Sequence, residues 1–197
     1  MPRQEPGVRP ARPLPYDLDV QEHWADGELT LRFLNRGRAG AVFTVYRDGD
    51  DAGPRYYTVE AGKTLSGAWS VTGPDKAYGF TVHGPDGFYR AFRGDPAVAS
   101  AVEIDLRHDP VRGEMRMTLR NRGEAALEAV VTVVAPTATP PKRGAVPAGG
   151  SWAIVHQLSA TDDRYDVSVA APGFERRLAR RFAPRRPPLR SPQSATS

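Results

Sequence analysis

Leu29-Thr30-Leu31-Arg32-Phe33-Leu34-Asn35-Arg36-Gly37 and, 86 positions later, Met115-Arg116-Met117-Thr118-Leu119-Arg120-Asn121-Arg122-Gly123 are two versions of one pattern. Each alternates, with Leu29, Leu31 and Phe33, or Met115, Met117 and Leu119, at every second position. Successive strand residues point to opposite faces, so each stretch reads as a half-buried β-strand. Each then ends in Asn-Arg-Gly. This reads as a turn in which asparagine tolerates, and glycine favours, left-handed backbone.

The flanks repeat at the same spacing. Leu18 and Val20 match Ile104 and Leu106, and Gly27 matches Gly113. With one residue inserted, Ala61-Gly62 matches Ala148-Gly149, and Tyr78 and Val82 match Tyr165 and Val169. Pro85-Asp86-Gly87-Phe88-Tyr89-Arg90 answers to Pro172-Gly173-Phe174-Glu175-Arg176, with one residue dropped. An ordered series of this length is a tandem repeat. The expected organisation is a Pro/Arg-rich linker over 1–13, copies over 14–95 and 99–183, and a disordered tail over 184–197.

Val42-Phe43-Thr44-Val45-Tyr46 and Val130-Val131-Thr132-Val133-Val134 are rich in β-branched and aromatic residues. Turn dipeptides such as Asp26-Gly27, Asp48-Gly49, Gly53-Pro54, Asp86-Gly87 and Pro172-Gly173 recur along the chain. Phe174, Leu178 and Phe182 lie four apart, as on a helix. The equivalent Phe88-Tyr89-Arg90-Ala91-Phe92-Arg93 alternates, so a final strand is expected in both copies. The fold class is all-β: two tandem small antiparallel β-sandwiches (Ig-like) of about seven strands each, with disordered Pro/Arg-rich ends. They are expected to pack side by side or to be joined by a short link near Pro96.

Composition excludes several function classes. The 197 residues include 19 glycines, 19 prolines and no cysteine. Disulfides, thiolate metal sites and thiol nucleophiles are therefore out. The longest apolar run, Ala129 to Ala135, is broken by Thr132 and is far short of the roughly 20 residues that a membrane-spanning helix needs. No secretory signal is visible at the start. The net charge is +4, but the terminal arginines carry it, Arg3, Arg9 and Arg12 at one end and Arg185, Arg186 and Arg190 at the other. The body is close to neutral, so nucleic acid is not an expected partner. Arg176, Arg177, Arg180, Arg181, Arg185, Arg186 and Arg190 form a cluster that could contact acidic lipid.

No catalytic, cofactor-binding or metal-ligating constellation emerges, and no ligand-binding residues can be named. His23, His83, His108 and His156 show no paired ligand spacing. His23 and His108 read as exposed turn histidines, His83 and His156 as structural ones. Ser66 lacks a nucleophile elbow. Asp48, Asp50 and Asp51, and Asp162 and Asp163, read as solvated turns rather than calcium loops. Trp24, Trp69, Trp152, Tyr56, Tyr57, Phe88 and Tyr89 read mainly as core; an exposed strip of them would suit a membrane interface or a carbohydrate.

Four stretches carry a resemblance: Leu14-Pro15-Tyr16-Asp17-Leu18, Leu31 to Tyr46, Tyr57-Thr58-Val59-Glu60-Ala61-Gly62-Lys63, and His83 to Gly94. They closely resemble the C-terminal domain of bacterial phosphocholine-preferring phospholipases C, which occurs there as a tandem pair after the catalytic domain. The first copy matches strongly and the second more loosely. The resemblance implies exported bacterial hydrolases of lipid catabolism that cleave phosphatidylcholine and sphingomyelin. It places nucleophile and metal ligands in the catalytic domain, none of which matches this sequence, so no cofactor is implied here. The expected role is a truncated, non-catalytic accessory region, extracellular or periplasmic, with a phospholipase C catalytic domain as partner and a phospholipid surface as a second contact. The alternative is a free-standing β-sandwich module that binds anionic lipid or a protein surface.

Overall fold

The computed structural model describes residues 14–71, 77–109, 111–135, 139–158, 161 and 163–182. The linker expected over 1–13 and the tail expected over 184–197 lie outside the described residues. Among the described residues, the first copy holds β1 (Leu18–Ala25), β2 (Glu28–Asn35), β3 (Ala41–Arg47), β4 (Arg55–Val59), β5 (Thr64–Ser70), β6 (Tyr78–His83) and β7 (Tyr89–Gly94). A short helix α1 (Pro96–Ala99), capped by the Asp95 carboxylate on the Ala97 amide, links to the second copy. There follow β8 (Val102–Asp109), β9 (Glu114–Asn121), β10 (Leu127–Ala135), β11 (Lys142–Val146), β12 (Ser151–Gln157), β13 (Arg164–Ala171) and β14 (Phe174–Arg181). Each copy has seven strands, in line with the number expected, and residues 174–181 form a final strand as expected.

Alternation sets what is buried. Leu29, Leu31 and Phe33 of β2 are fully buried, as are Met115, Met117 and Leu119 of β9. Burying each such side chain stabilises the fold by about 1.5–3 kcal/mol. Each copy places a three-stranded sheet, β1-β2-β5 or β8-β9-β12, over a four-stranded one. The two four-stranded sheets are continuous. They form one eight-stranded antiparallel sheet in the order β4-β3-β6-β7-β14-β13-β10-β11. The join is β7 against β14, with Phe92 opposite Arg176 and Ala91 opposite Arg177. Ala91 and Arg177 are also repeat equivalents, 86 apart. A pseudo-two-fold axis therefore passes between them and relates one copy to the other.

Asn35 and Asn121 recur for a reason that turn propensity misses. Neither has a left-handed backbone, and neither do Gly37 and Gly123. Asn35 closes β2 with its side chain buried. Its amide donates to the carbonyls of Ala39 and Val59 at 2.8 and 3.0 Å, and its Oδ1 accepts from the Gly37 amide. Asn121 repeats this with Ala125, Val146 and Gly123. The asparagine satisfies backbone groups that the loop would otherwise bury unpaired. Gly37 is required by space: a Cβ there would lie 2.3 Å from the Pro15 carbonyl oxygen.

The cores differ by an exchange. In copy 1 the Tyr57 ring, from β4, lies over Gly67 of β5 and packs on Phe33 and Trp69. In copy 2 the ring is Trp152, from β12, and it lies over Gly144 of β11. Ring and glycine have changed strands, so the same space is filled from opposite sides.

Candidate functional site at the seam between the copies

The inward face of the join carries two buried arginines, Arg90 of β7 and Arg176 of β14, each only 2% exposed. They occupy equivalent positions, and each reaches into the other copy. Arg90 donates to the Tyr165 hydroxyl and to the carbonyls of Tyr89 and Ala179. Arg176 donates to the Tyr78 hydroxyl and to the carbonyls of Arg93 and Glu175. Tyr78 and Tyr165 are repeat equivalents, as are Tyr89 and Glu175, and Arg93 and Ala179.

The charges break this symmetry. Arg176 makes a two-pronged contact with Glu22 of β1, with both bonds at 2.7 Å. Arg90 has Asp19 at 3.5 Å. Arg180, also on β14, holds Asp17 and the Leu18 carbonyl at 2.7 and 2.9 Å. All three guanidinium groups thus engage the β1 side of the seam. A forked guanidinium–carboxylate pair is among the stronger polar contacts of a protein. Burial pushes the Tyr78 phenol well above its usual range; Glu22 adds to this and Arg176 opposes it.

Beside the clasps lies a groove of about 420 Å³. Its walls are Asp19 to Glu22 of β1 and Val102 to Arg107 of β8, and its floor includes Phe92, Arg176 and Leu178. Both walls are edge strands of their three-stranded sheets. Because β1 pairs with β2 as β8 does with β9, Val102, Ile104 and Leu106 of β8 stand level with Leu18, Val20 and Glu22 of β1, two residues out of step with the 86-residue spacing. Leu18, Val20 and Val102 are buried, and Ile104 and Leu106 are half-buried against the core. On β8, Glu103 pairs with Arg122 of the same small sheet's margin and Asp105 with Arg107.

The structure scatters the residues that the sequence singles out. His23 and His83 are exposed, the latter between the rings of Tyr46 and Tyr89. His108 is not an exposed turn histidine. It stacks on Phe182 at 3.9 Å, with Asp163 4.0 Å away. His156 faces the core of copy 2 at the position that Trp69 holds in copy 1; burial, then Lys142, keeps its imidazole below the usual range. Ser66 is exposed in the middle of β5. Asp48 pairs with Arg93, and Asp50 closes a turn on the Ala52 amide. Asp162 lies outside the described residues. Trp69 and Phe88 are core, Trp24 and Trp152 are half-buried against it, and Tyr56 is exposed at 67%.

The arginine cluster does not form one polybasic surface among the described residues. Arg176 is buried on Glu22, Arg177 pairs with Asp166, and Arg180 pairs with Asp17. Arg185, Arg186 and Arg190 lie outside the described residues. What sequence reasoning missed is the pair Arg90 and Arg176. The signal was present: each arginine falls in register with flanking apolar residues, Phe88 and Phe92, or Phe174 and Leu178.

Among the described residues, no group of three or more histidine, aspartate or glutamate side chains could hold a metal. No helix among them is long and apolar enough to cross a membrane.

The family model for the C-terminal domain of bacterial phospholipase C matches residues 10–95 and again 99–181. The non-hemolytic phospholipase C of Burkholderia pseudomallei is 39% identical over 100% of this chain, which covers 29% of that protein. Its namesake in Pseudomonas aeruginosa is 36% identical over 94% of this chain and 28% of its own length. The hemolytic phospholipase C of P. aeruginosa is 29% identical over 93% of this chain. Among solved structures, a red sea bream transglutaminase aligns over 87% of this chain with 13% identity and a TM-score of 0.30, too low to carry an argument. The chain therefore spans less than a third of the length of the relatives it matches. With both copies matched over nearly all their residues, this chain belongs to the family of bacterial phospholipase C C-terminal domains.

Proposed function

We propose that this chain is the non-catalytic accessory region of a bacterial phospholipase C. It stabilises or orients a catalytic part whose substrates are phosphatidylcholine and sphingomyelin. Copies over 14–95 and 99–183 are the two units of this region, and its place of action is extracellular or periplasmic. The observation that carries the reading is the double match to the C-terminal-domain model by a chain that spans under a third of its relatives. The architecture is consistent with it. The polar side chains most deeply buried, Arg90, Arg176, Asn35 and Asn121, are engaged in holding strands together. Such engagement makes a rigid platform rather than a reaction centre.

The test is to produce the upstream part of the B. pseudomallei relative without its matched region. Its hydrolysis of phosphatidylcholine micelles and its thermal inactivation are then measured with and without this chain. The reading predicts slower inactivation or faster hydrolysis with the chain present, and no phosphocholine release by the chain alone. An unchanged catalytic part, or hydrolysis by the chain alone, would overturn it.

A further inference from the structure

The two copies serve as each other's controls. They share one fold, so a surface that differs between equivalent strands is not explained by folding. One such difference lies on the strands that wall the seam groove. On β1 the inward residues Leu18 and Val20 are sealed at 1% and 5% exposure, with Arg90, Arg176 and Arg180 drawn onto Asp19, Glu22 and Asp17 beside them. On β8, which pairs with β9 as β1 does with β2, Val102 stands at the position of Leu18 and is buried. Ile104 stands at that of Val20 and Leu106 at that of the clasped Glu22, and these two apolar side chains are only half-buried beside Phe92, Arg176 and Leu178.

We propose that this groove is where the catalytic part of the phospholipase C docks, an extended segment of it adding to the free edge of β8 and covering Ile104 and Leu106. The inference rests on the function proposed above. Three observations favour this occupant. First, an edge strand offers unpaired backbone groups, and a strand that alternates apolar and polar residues satisfies them while seating every second side chain on the floor. Second, the polypeptide enters the module through residues 14–17 directly into β1, the opposite wall. It is tied there by the Arg36 amide on the Asp17 carbonyl and the Arg38 amide on the Pro15 carbonyl, both at 2.7 Å. A catalytic part that precedes this region therefore arrives at the groove's own wall. Third, more than two thirds of the length of the B. pseudomallei and P. aeruginosa non-hemolytic relatives lies outside the match, ample to supply such a segment. The lining sets four carboxylates, Asp19, Glu22, Glu103 and Asp105, beside three arginines, Arg107, Arg120 and Arg176, so it offers no net basic patch to an anionic lipid surface.

The experiment mixes this full chain with the separately produced upstream part of the B. pseudomallei relative. Affinity is measured by titration calorimetry, and backbone protection by hydrogen exchange. Protection is expected on β8 in the complex, with affinity falling about tenfold or more in Leu106→Glu and less than about twofold in Tyr56→Ser on the outer face of the large sheet. Copy 1 carries Glu22 at the position of Leu106, so the variant is expected to fold; should it not, exchange on the unaltered chain decides alone. A complex that leaves β8 exchange unchanged, or that tolerates Leu106→Glu within twofold, would overturn the groove and leave the accessory role standing. No complex at all would overturn both. Binding to phosphatidylcholine–phosphatidylglycerol vesicles that Leu106→Glu abolishes would assign the groove to lipid instead.

Discussion

Replacing Arg176 with methionine keeps much of the stem's volume and removes the guanidinium. Five hydrogen bonds go with it: two to Glu22, one to Tyr78 and one each to the Arg93 and Glu175 carbonyls. Breaking a buried ion pair by deleting one partner costs about 3–5 kcal/mol, mostly for the groups left unpaired. The Glu22 side chain is 15% exposed and can recover some hydration, so a loss near the lower end, about 3 kcal/mol, is expected. For a chain of this size that lowers Tm by about 6–12 °C. Urea unfolding followed by circular dichroism measures it. The same series should include Glu22→Leu and the double variant. If the penalty is an orphaned charge, the double variant is more stable than the two single losses added together, by about 1 kcal/mol or more. Arg90→Met should lose less, because its carboxylate, Asp19, stands at 3.5 Å and not in a forked contact. A loss under about 1 kcal/mol for Arg176→Met, or strict additivity with Glu22→Leu, would refute the reasoning.

Three further outcomes follow from the same structure. Gly37→Ala should destabilise by about 1–3 kcal/mol, since its Cβ would meet backbone at 2.3 Å, whereas Gly123→Ala, with nearest atoms at 3.1 and 3.5 Å, should change stability by less than about 1 kcal/mol; chemical denaturation of the two variants compares them. Asn35→Ala leaves the Ala39 and Val59 carbonyls and the Gly37 amide without their partner, and should lower stability by about 2–4 kcal/mol on the same assay. His156 has a folded-state pKa below its unfolded value, so the unfolded chain binds the proton more readily. Its contribution is full above about pH 6.5, the usual imidazole value, and is lost as pH falls through the lower folded value. Thermal scans from pH 7.5 to 5 should therefore show a smaller acid-induced fall in Tm for His156→Gln than for the unaltered chain. An identical fall would remove His156 from the account.

The strands were legible because their message is local. Alternation at Leu29 to Phe33 and at Met115 to Leu119 depends only on one face being buried, and the repeat doubles the signal. The same comparison resolves Phe174 to Phe182 as a strand against its helical spacing. The continuous eight-stranded sheet was not legible. An edge strand and a paired strand carry the same alternation, and β7 and β14 differ from edges only in having arginine among their inward residues. That arginine sits beside Phe88 and Phe92, or Phe174 and Leu178, and reads as a solvent-facing residue until its partners Tyr165, Tyr78 and Glu22 arrive from 75 to 154 positions away. The Asn-Arg-Gly repeat was visible, yet its cause was not. Left-handed turns and buried asparagines that bond to backbone have the same sequence signature, and only the φ angles and the Pro15 contact separate them. The arginine-rich final strand likewise looked like a surface cluster, because sequence spacing does not reveal that Asp17, Glu22 and Asp166 stand opposite.

The central claim is that this chain works as part of a phospholipase C. The most direct test raises an antibody against it, applies this to the culture medium and lysate of the source organism, and assays the precipitate for phosphocholine release from phosphatidylcholine. The account predicts that the precipitate carries that activity, with the chain in a polypeptide several times larger than 21.5 kDa or bound to one. A precipitate that contains only a 21.5-kDa chain and releases no phosphocholine would contradict it.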